Sequence, residues 1–133
     1  MNKTKYKVTK KSELAALAAS IQTGKTSLLV AGGWDQNYAS GVVVIDHVIG
    51  KAEIHDKMRD VWYVLSGQAR FKLGGEMINP KSSKPGEWAA EALRDPEIVE
   101  VSVGDVIDIP PGTPHQIDAL EERIEAFLIK VPA

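Results

Sequence analysis

The chain has 133 residues, 44% hydrophobic and 26% charged, the profile of one globular domain long enough to bury a core without covalent staples. Its formal net charge of −2 gives no basic surface for nucleic acid, and no apolar run approaches the roughly 20 residues of a membrane span. There is no cysteine, which excludes disulfides, thiol nucleophiles and thiolate metal ligands. The expected location is cytoplasmic, with export after removal of a signal peptide kept open.

In chain order, the lysines at positions 3, 5, 7, 10 and 11 read as a solvated N-terminal arm. A helix follows, with Ser12 as its cap, Glu13 in its first turn and Leu14, Leu17 and Ile21 at helical spacing, stopped by Gly24. After that the pattern is β. Strands are expected at Thr26–Ala31, Ser40–Val48 and Lys51–His55. A hairpin pair follows, Asp60–Leu65 and Gln68–Leu73, turning at Ser66-Gly67. The remaining strands are Ile98–Val103, Val106–Ile109, Pro114–Asp118 and Arg123–Val131. Short strands with Gly and Pro punctuation argue for a sandwich or barrel. Residues 25–133 would form it, after an arm and helix at 1–24.

Residues 74–97 interrupt this rhythm. Gly74-Gly75 and the run from Asn79 to Gly86 are turn-rich, and Glu87–Leu93 reads as a short helical piece. Insertions beyond about 12–15 residues are usually functional or disordered. Trp88 favours order, because a large aromatic is costly to leave in water. The expectation is a flap packed over the barrel mouth, with Glu87 and Glu91 near the ligand.

Two motifs carry the chemistry. Gly104, Pro110, Gly112 and His115 read Gly-(x)5-Pro-x-Gly-(x)2-His. Proline fixes φ and glycine permits positive φ, so a rigid turn delivers an imidazole. Upstream, Glu53, His55, Asp60 and Gly67 read Glu-x-His-(x)4-Asp-(x)6-Gly. This pair resembles the two motifs of the cupin superfamily over roughly residues 50–119. Glu53 stands where the first His is usual, Asp60 where Glu is, His47 at the leading Gly and Ala119 at the final Asn. The resemblance implies an all-β fold, a double-stranded β-helix (jelly-roll) barrel with one short N-terminal helix.

Strand alternation puts Glu53 and His55 on one face, and Asp60 with Trp62 on one face of the next strand. The metal ligands are then His55, Asp60 and His115, with Glu53 either a fourth ligand or the catalytic base. Two imidazoles and a carboxylate suit one divalent ion: Fe, Zn, Mn or Ni. Trp62, Trp88 and Arg70 are the candidate substrate-binding residues. His47 is read as structural, Tyr63 as packing, and Lys57 and Arg59 as exposed.

The expected function is a metal-dependent enzyme acting on a small molecule, by dioxygenase, isomerase, lyase or cyclase chemistry. The alternative is a non-catalytic sugar- or metabolite-binding module. The expected partners are a small molecule and a second copy in a homodimer, with neither nucleic acid nor membrane.

Overall fold

A computed structural model describes residues 6–133, so Lys3 and Lys5 of the N-terminal arm lie outside it. Helix α1 spans Lys11–Ala19, and twelve strands follow. They are β1 (Gly24–Gly32), β2 (Ala39–Asp46), β3 (Ala52–His55), β4 (Met58–Leu73), β5 (Glu76–Met77) and β6 (Lys81–Lys84). Then come β7 (Glu87–Ala90), β8 (Leu93–Arg94), β9 (Glu97–Ser102), β10 (Val106–Ile109), β11 (His115–Asp118) and β12 (Arg123–Pro132). The main sheet runs β1-β2-β12-β4-β11-β3-β7-β6, with β9 and β10 also pairing to β4. All pairings are antiparallel, and β5 and β8 form a separate ribbon. No helix among the described residues is long and apolar enough to cross a membrane.

The helix begins earlier than Ser12. Glu13 Oε1 accepts the Lys10 backbone N–H at 3.2 Å, so the chain is captured one turn back and Ser12 falls inside the first turn. It ends at Ser20, and Gly24 opens β1 instead of stopping the helix. Ala18 and Ile21, with Leu14 and Leu17 beside them, pack on Val30, Val42 and Val44. Arg123 donates to the carbonyls of Ala18 and Ile21 at 3.0 and 2.9 Å, partnering groups that a helix end leaves open. Strand β2 is therefore buried on both faces. Val42 and Val44 meet the helix, while Val43 and Ile45 point into the barrel core with Phe71, Ile117 and Ile124. A continuous apolar run is what a doubly covered strand requires.

Strand β4 replaces the expected hairpin at Ser66-Gly67. Its first half pairs with β10 and β12, and its second half with β9 and β11. The strand turns a corner between sheets instead of reversing. Gly67 has φ +77°, and a Cβ there would lie 1.9 Å from the Arg123 carbonyl oxygen, so only glycine fits this crossing. A bulge skips Leu65 opposite Glu125 and Ala126, which adds bend at the same point.

Residues 74–97 are also different from the expectation. Glu87–Ala90 is a strand, not a helix, and pairs with β3. The segment extends the sheet beside β3, with Lys84 and Glu87 bordering the cavity that also holds His55 and Asp60. Its β propensity comes from tertiary pairing, which overrides the helix preference of the Glu- and Ala-rich sequence.

Candidate metal centre

Three strands bring the two motifs together. Strand β11 lies between β3 and β4, with His115 directly opposite both Glu53 and Leu73. Opposed residues share a face, so Glu53, His55 and His115 all point inward. The Pro110–Pro114 turn is fastened to the first motif, since the Gly112 N–H donates to the His55 carbonyl at 2.8 Å. Gly112 adopts φ +78° there. Asp60 arrives on β4 after a two-residue connection, although β3 and β4 do not pair with each other.

His55, Asp60 and His115 each offer a ligand atom, all within 4.8 Å of one another, and all three residues are buried. Asp60 Oδ2 lies 3.4 Å from His55 Nε2 and 3.4 Å from His115 Nε2. The other ring nitrogens are engaged elsewhere. His55 Nδ1–H donates to Glu87 Oε1 at 2.6 Å, and His115 Nδ1–H donates to the Thr113 carbonyl at 2.9 Å. Each bond fixes a ring orientation and leaves Nε2 for the centre, the arrangement usual around ligating histidines.

Lys130 completes the cluster. It sits opposite Asp60 in the β4/β12 ladder, and its ammonium donates to His55 Nε2 and Asp60 Oδ1, both at 3.0 Å. Burial alone would raise the Asp60 carboxyl. The His115 and His55 rings, which donate from Nε2 when protonated, and the Lys130 charge outweigh it and hold the group well below the ordinary carboxylate range. Burial acts on His55 in the opposite sense, but the hydrogen bond and charge of Asp60 prevail and lift its pKa, against the opposing Lys130 charge.

A solvent-open cavity of about 220 Å³ lies over this cluster. Lys25, Trp34, Glu53, Trp62, Lys84 and Glu87 contribute to its wall. Glu53 lines it but stands outside the group of three ligand atoms, its carboxylate half-exposed and 3.6 Å from Lys25 Nζ. Trp62 is in the wall and packs edge-on against Phe71. Trp88 is not among the lining residues. It pairs with Ile54, the residue between Glu53 and His55, so it takes the opposite face, 39% exposed, with its indole donating to Asp56 at 3.3 Å. Arg70 is also elsewhere. Its neighbours Ala69 and Phe71 point inward, so Arg70 points out, where it lies 3.6 Å from Glu100. His47 is exposed and bonded to Asp46, Tyr63 is half-exposed, and Arg59 pairs with Asp108.

The motif reading missed Lys130 and gave Glu87 no place beside His55. The Lys130 signal was present: Ile124, Ala126, Leu128 and Lys130 alternate along one strand, and an apolar inward series that ends in lysine marks a polar end of the interior. Glu87 had no such signal, because its role depends on β7 pairing with β3 in the register that sets it opposite His55. Trp34 was also unforeseen. It packs over Gly41, where a Cβ would come within 2.8 Å of its ring.

No family model matches the chain, and no curated protein does. Solved structures do. A Klebsiella pneumoniae protein with a double-stranded beta-helix domain superposes with TM-score 0.64 at 15% identity, covering 96% of this chain and 91% of that one. KdgF from Halomonas sp. gives 0.59 at 21%, covering 83% and 80%. DMSP lyase DddQ from Ruegeria pomeroyi gives 0.59 at 15%, covering 81% of this chain but 47% of that one, so this chain spans about half of the lyase. At these identities the likeness establishes the fold.

Proposed function

The chain has the double-stranded β-helix fold of the cupins, and on that scaffold we propose that it is a metal-dependent enzyme acting on a small molecule. His55 and His115 would hold one divalent ion through Nε2, and Asp60 through its carboxylate. The donor set fits such an ion: two neutral imidazoles and a carboxylate suit Fe, Zn, Mn or Ni. A cation already stands among these donors, for the Lys130 ammonium touches two of the three residues. The observation that carries the reading is the pair of buried imidazoles, each tied at Nδ1 and each presenting Nε2 to Asp60.

The ion would supply Lewis acidity and open positions for substrate. The protein's own groups do the rest. Glu87 orients His55, Thr113 orients His115, and Glu53, half-exposed at the cavity wall beside Lys25, is placed to move a proton to or from the ligand. Trp34 and Trp62 exclude water from one side. Dioxygenation, isomerisation, lyase chemistry and cyclisation all remain compatible with this arrangement.

Elemental analysis of protein purified without added metal tests the reading. We expect about one divalent ion per chain, lost in both His55→Ala and His115→Ala, with affinity falling as the pH drops through the raised His55 value and the imidazole protonates. Unchanged metal content in both variants would overturn it. The Lys130 ammonium also supports a second reading, a metal-free binding module in which lysine is the resident cation. Absence of bound metal after loading, with retained ligand binding, would establish that instead. We further propose a two-fold dimer, the commonest soluble assembly. Exposed Tyr63 and Val106, cross-strand partners on β4 and β10, support it. A monomeric mass by light scattering at micromolar concentration would refute it.

A further inference from the structure

Asp60 divides its carboxylate between two kinds of partner. Oδ2 faces the imidazoles, 3.4 Å from His55 Nε2 and 3.4 Å from His115 Nε2. Oδ1 faces Lys130, whose ammonium donates to it at 3.0 Å. Donors about 2.0–2.2 Å from a tetrahedral ion stand roughly 3.3–3.6 Å apart, so both Oδ2 separations already suit one. Lys130 does not obstruct Oδ2, but it does engage one of the imidazoles. The same ammonium donates to His55 Nε2 at 3.0 Å. His55 Nδ1–H is committed to Glu87, so Nε2 carries the single acceptor lone pair of the ring. That lone pair cannot serve an ammonium and a metal ion together.

The contact has a thermodynamic reason. Asp60 is buried, and a buried carboxylate without a counter-charge is strongly unfavourable. The Lys130 ammonium supplies that charge from the chain itself, so Asp60 is compensated with or without an ion. Structural metal sites behave otherwise, since there the ion is needed for the chain to fold. Lys130 also has room to give way. It borders a second cavity of about 220 Å³, which Trp34, Asp35 and Glu87 line with it. The ammonium can therefore leave Nε2 and keep its bond to Oδ1.

We propose that Lys130 is a resident counter-ion that the metal must displace from His55 Nε2. It lets the fold close around Asp60 before any ion arrives, and it holds the metal affinity of the site down. This role rests on the proposed metal centre at His55, Asp60 and His115. Two effects oppose each other when the lysine is removed. Asp60 loses a hydrogen bond that orients it, and such outer partners are worth about 10–100-fold in metal affinity. Against that, Nε2 is released, and the repulsion between an ammonium and a doubly charged ion a few ångströms away disappears. In a site this buried the second effect is the larger, so removal tightens binding. A lysine that only supported Asp60 would give the opposite sign.

The test measures zinc affinity by competition with a chromophoric chelator, and thermal melting with and without zinc, for wild type, Lys130→Met and Lys130→Gln. Both variants should bind zinc at least tenfold more tightly than wild type, about 1.4 kcal/mol. Without zinc, Lys130→Met should melt below wild type, and zinc should raise its melting temperature by more. If Lys130→Met folds only when zinc is present, that too supports the proposal; if it folds under neither condition, the Lys130→Gln affinity decides. Lys51→Met removes the same charge from an exposed pair with Glu91 and should bind zinc as wild type does. Zinc affinity no tighter than wild type in the folded Lys130 variants, or an equal gain in Lys51→Met, would overturn the proposal. Wild type that binds zinc while the Lys130 variants gain nothing would sink the displacement alone and leave the metal centre standing. Zinc binding by none of the proteins would sink both.

Discussion

Strands β4 and β12 line both ends of the barrel interior, and the two ends are chemical opposites. At one end β4 presents Val64, Ala69 and Phe71 and β12 presents Ile124 and Ala126, all buried in one apolar cluster. A few residues along the same strands, β4 presents Asp60 and β12 presents Lys130, flanked by His55 and His115. The apolar end gains stability from removing hydrocarbon from water. The polar end is built differently: it buries a carboxylate, an ammonium and two imidazoles, which lose their hydration and are held by one another instead of by apolar contact. Trp62 sits at the seam, packed on Phe71 on one side and lining the cavity on the other.

Three experiments would break or sharpen that contrast. Phe71→Ala removes a fully buried ring from the apolar end, and should cost about 3–5 kcal/mol in denaturant melts while folded protein keeps its metal. A stability loss under about 1 kcal/mol would mean that the apolar end is not the main support. At the polar end the sign reverses. The double variant Asp60→Leu with Lys130→Met should be as stable as wild type or about 1–4 kcal/mol more stable, and should bind no metal. Its acid response should also change. The folded Asp60 carboxyl is held below its unfolded value, so its contribution is present above about pH 4 and is lost as pH falls towards the folded value. The double variant should therefore lose less stability than wild type on acidification below pH 4. An equal acid slope would remove Asp60 from the account. The smallest effect concerns the support of the site. Glu87→Ala leaves His55 Nδ1–H without its carboxylate and should weaken metal binding about 10–100-fold, with little change in melting. Undiminished affinity in a metal-competition titration would show that Glu87 is not needed to hold the ring.

Much of this was legible in the chain. Gly104, Pro110, Gly112 and His115 define a turn because proline restricts φ and glycine tolerates positive φ, and Gly104 and Gly112 do adopt φ of +90° and +78°. The period-two spacing of Glu53 with His55, and of Asp60 with Trp62, set their shared faces. Both are properties of the local backbone. The helix was legible in kind, but its start shifted because Glu13 reaches back to Lys10.

What the local pattern could not contain is who pairs with whom. Ser66-Gly67 has the composition of a hairpin turn, and only the crossing of Arg123 beside Gly67 makes it a corner between sheets. Glu87–Ala90 has helical composition, and only β3 makes it a strand that brings Glu87 to His55. Trp88 and Arg70 stood with Trp62 among the candidate substrate-binding residues, yet register sends both to outer faces. Lys130 lies 70 residues from Asp60 and 75 from His55 along the chain. Residue types and turn chemistry, acting over a few residues, therefore determined which side chains could bind a metal. Strand register, fixed by long-range hydrogen bonds and by burial of one face, decided which of them meet, and set an ammonium in their midst.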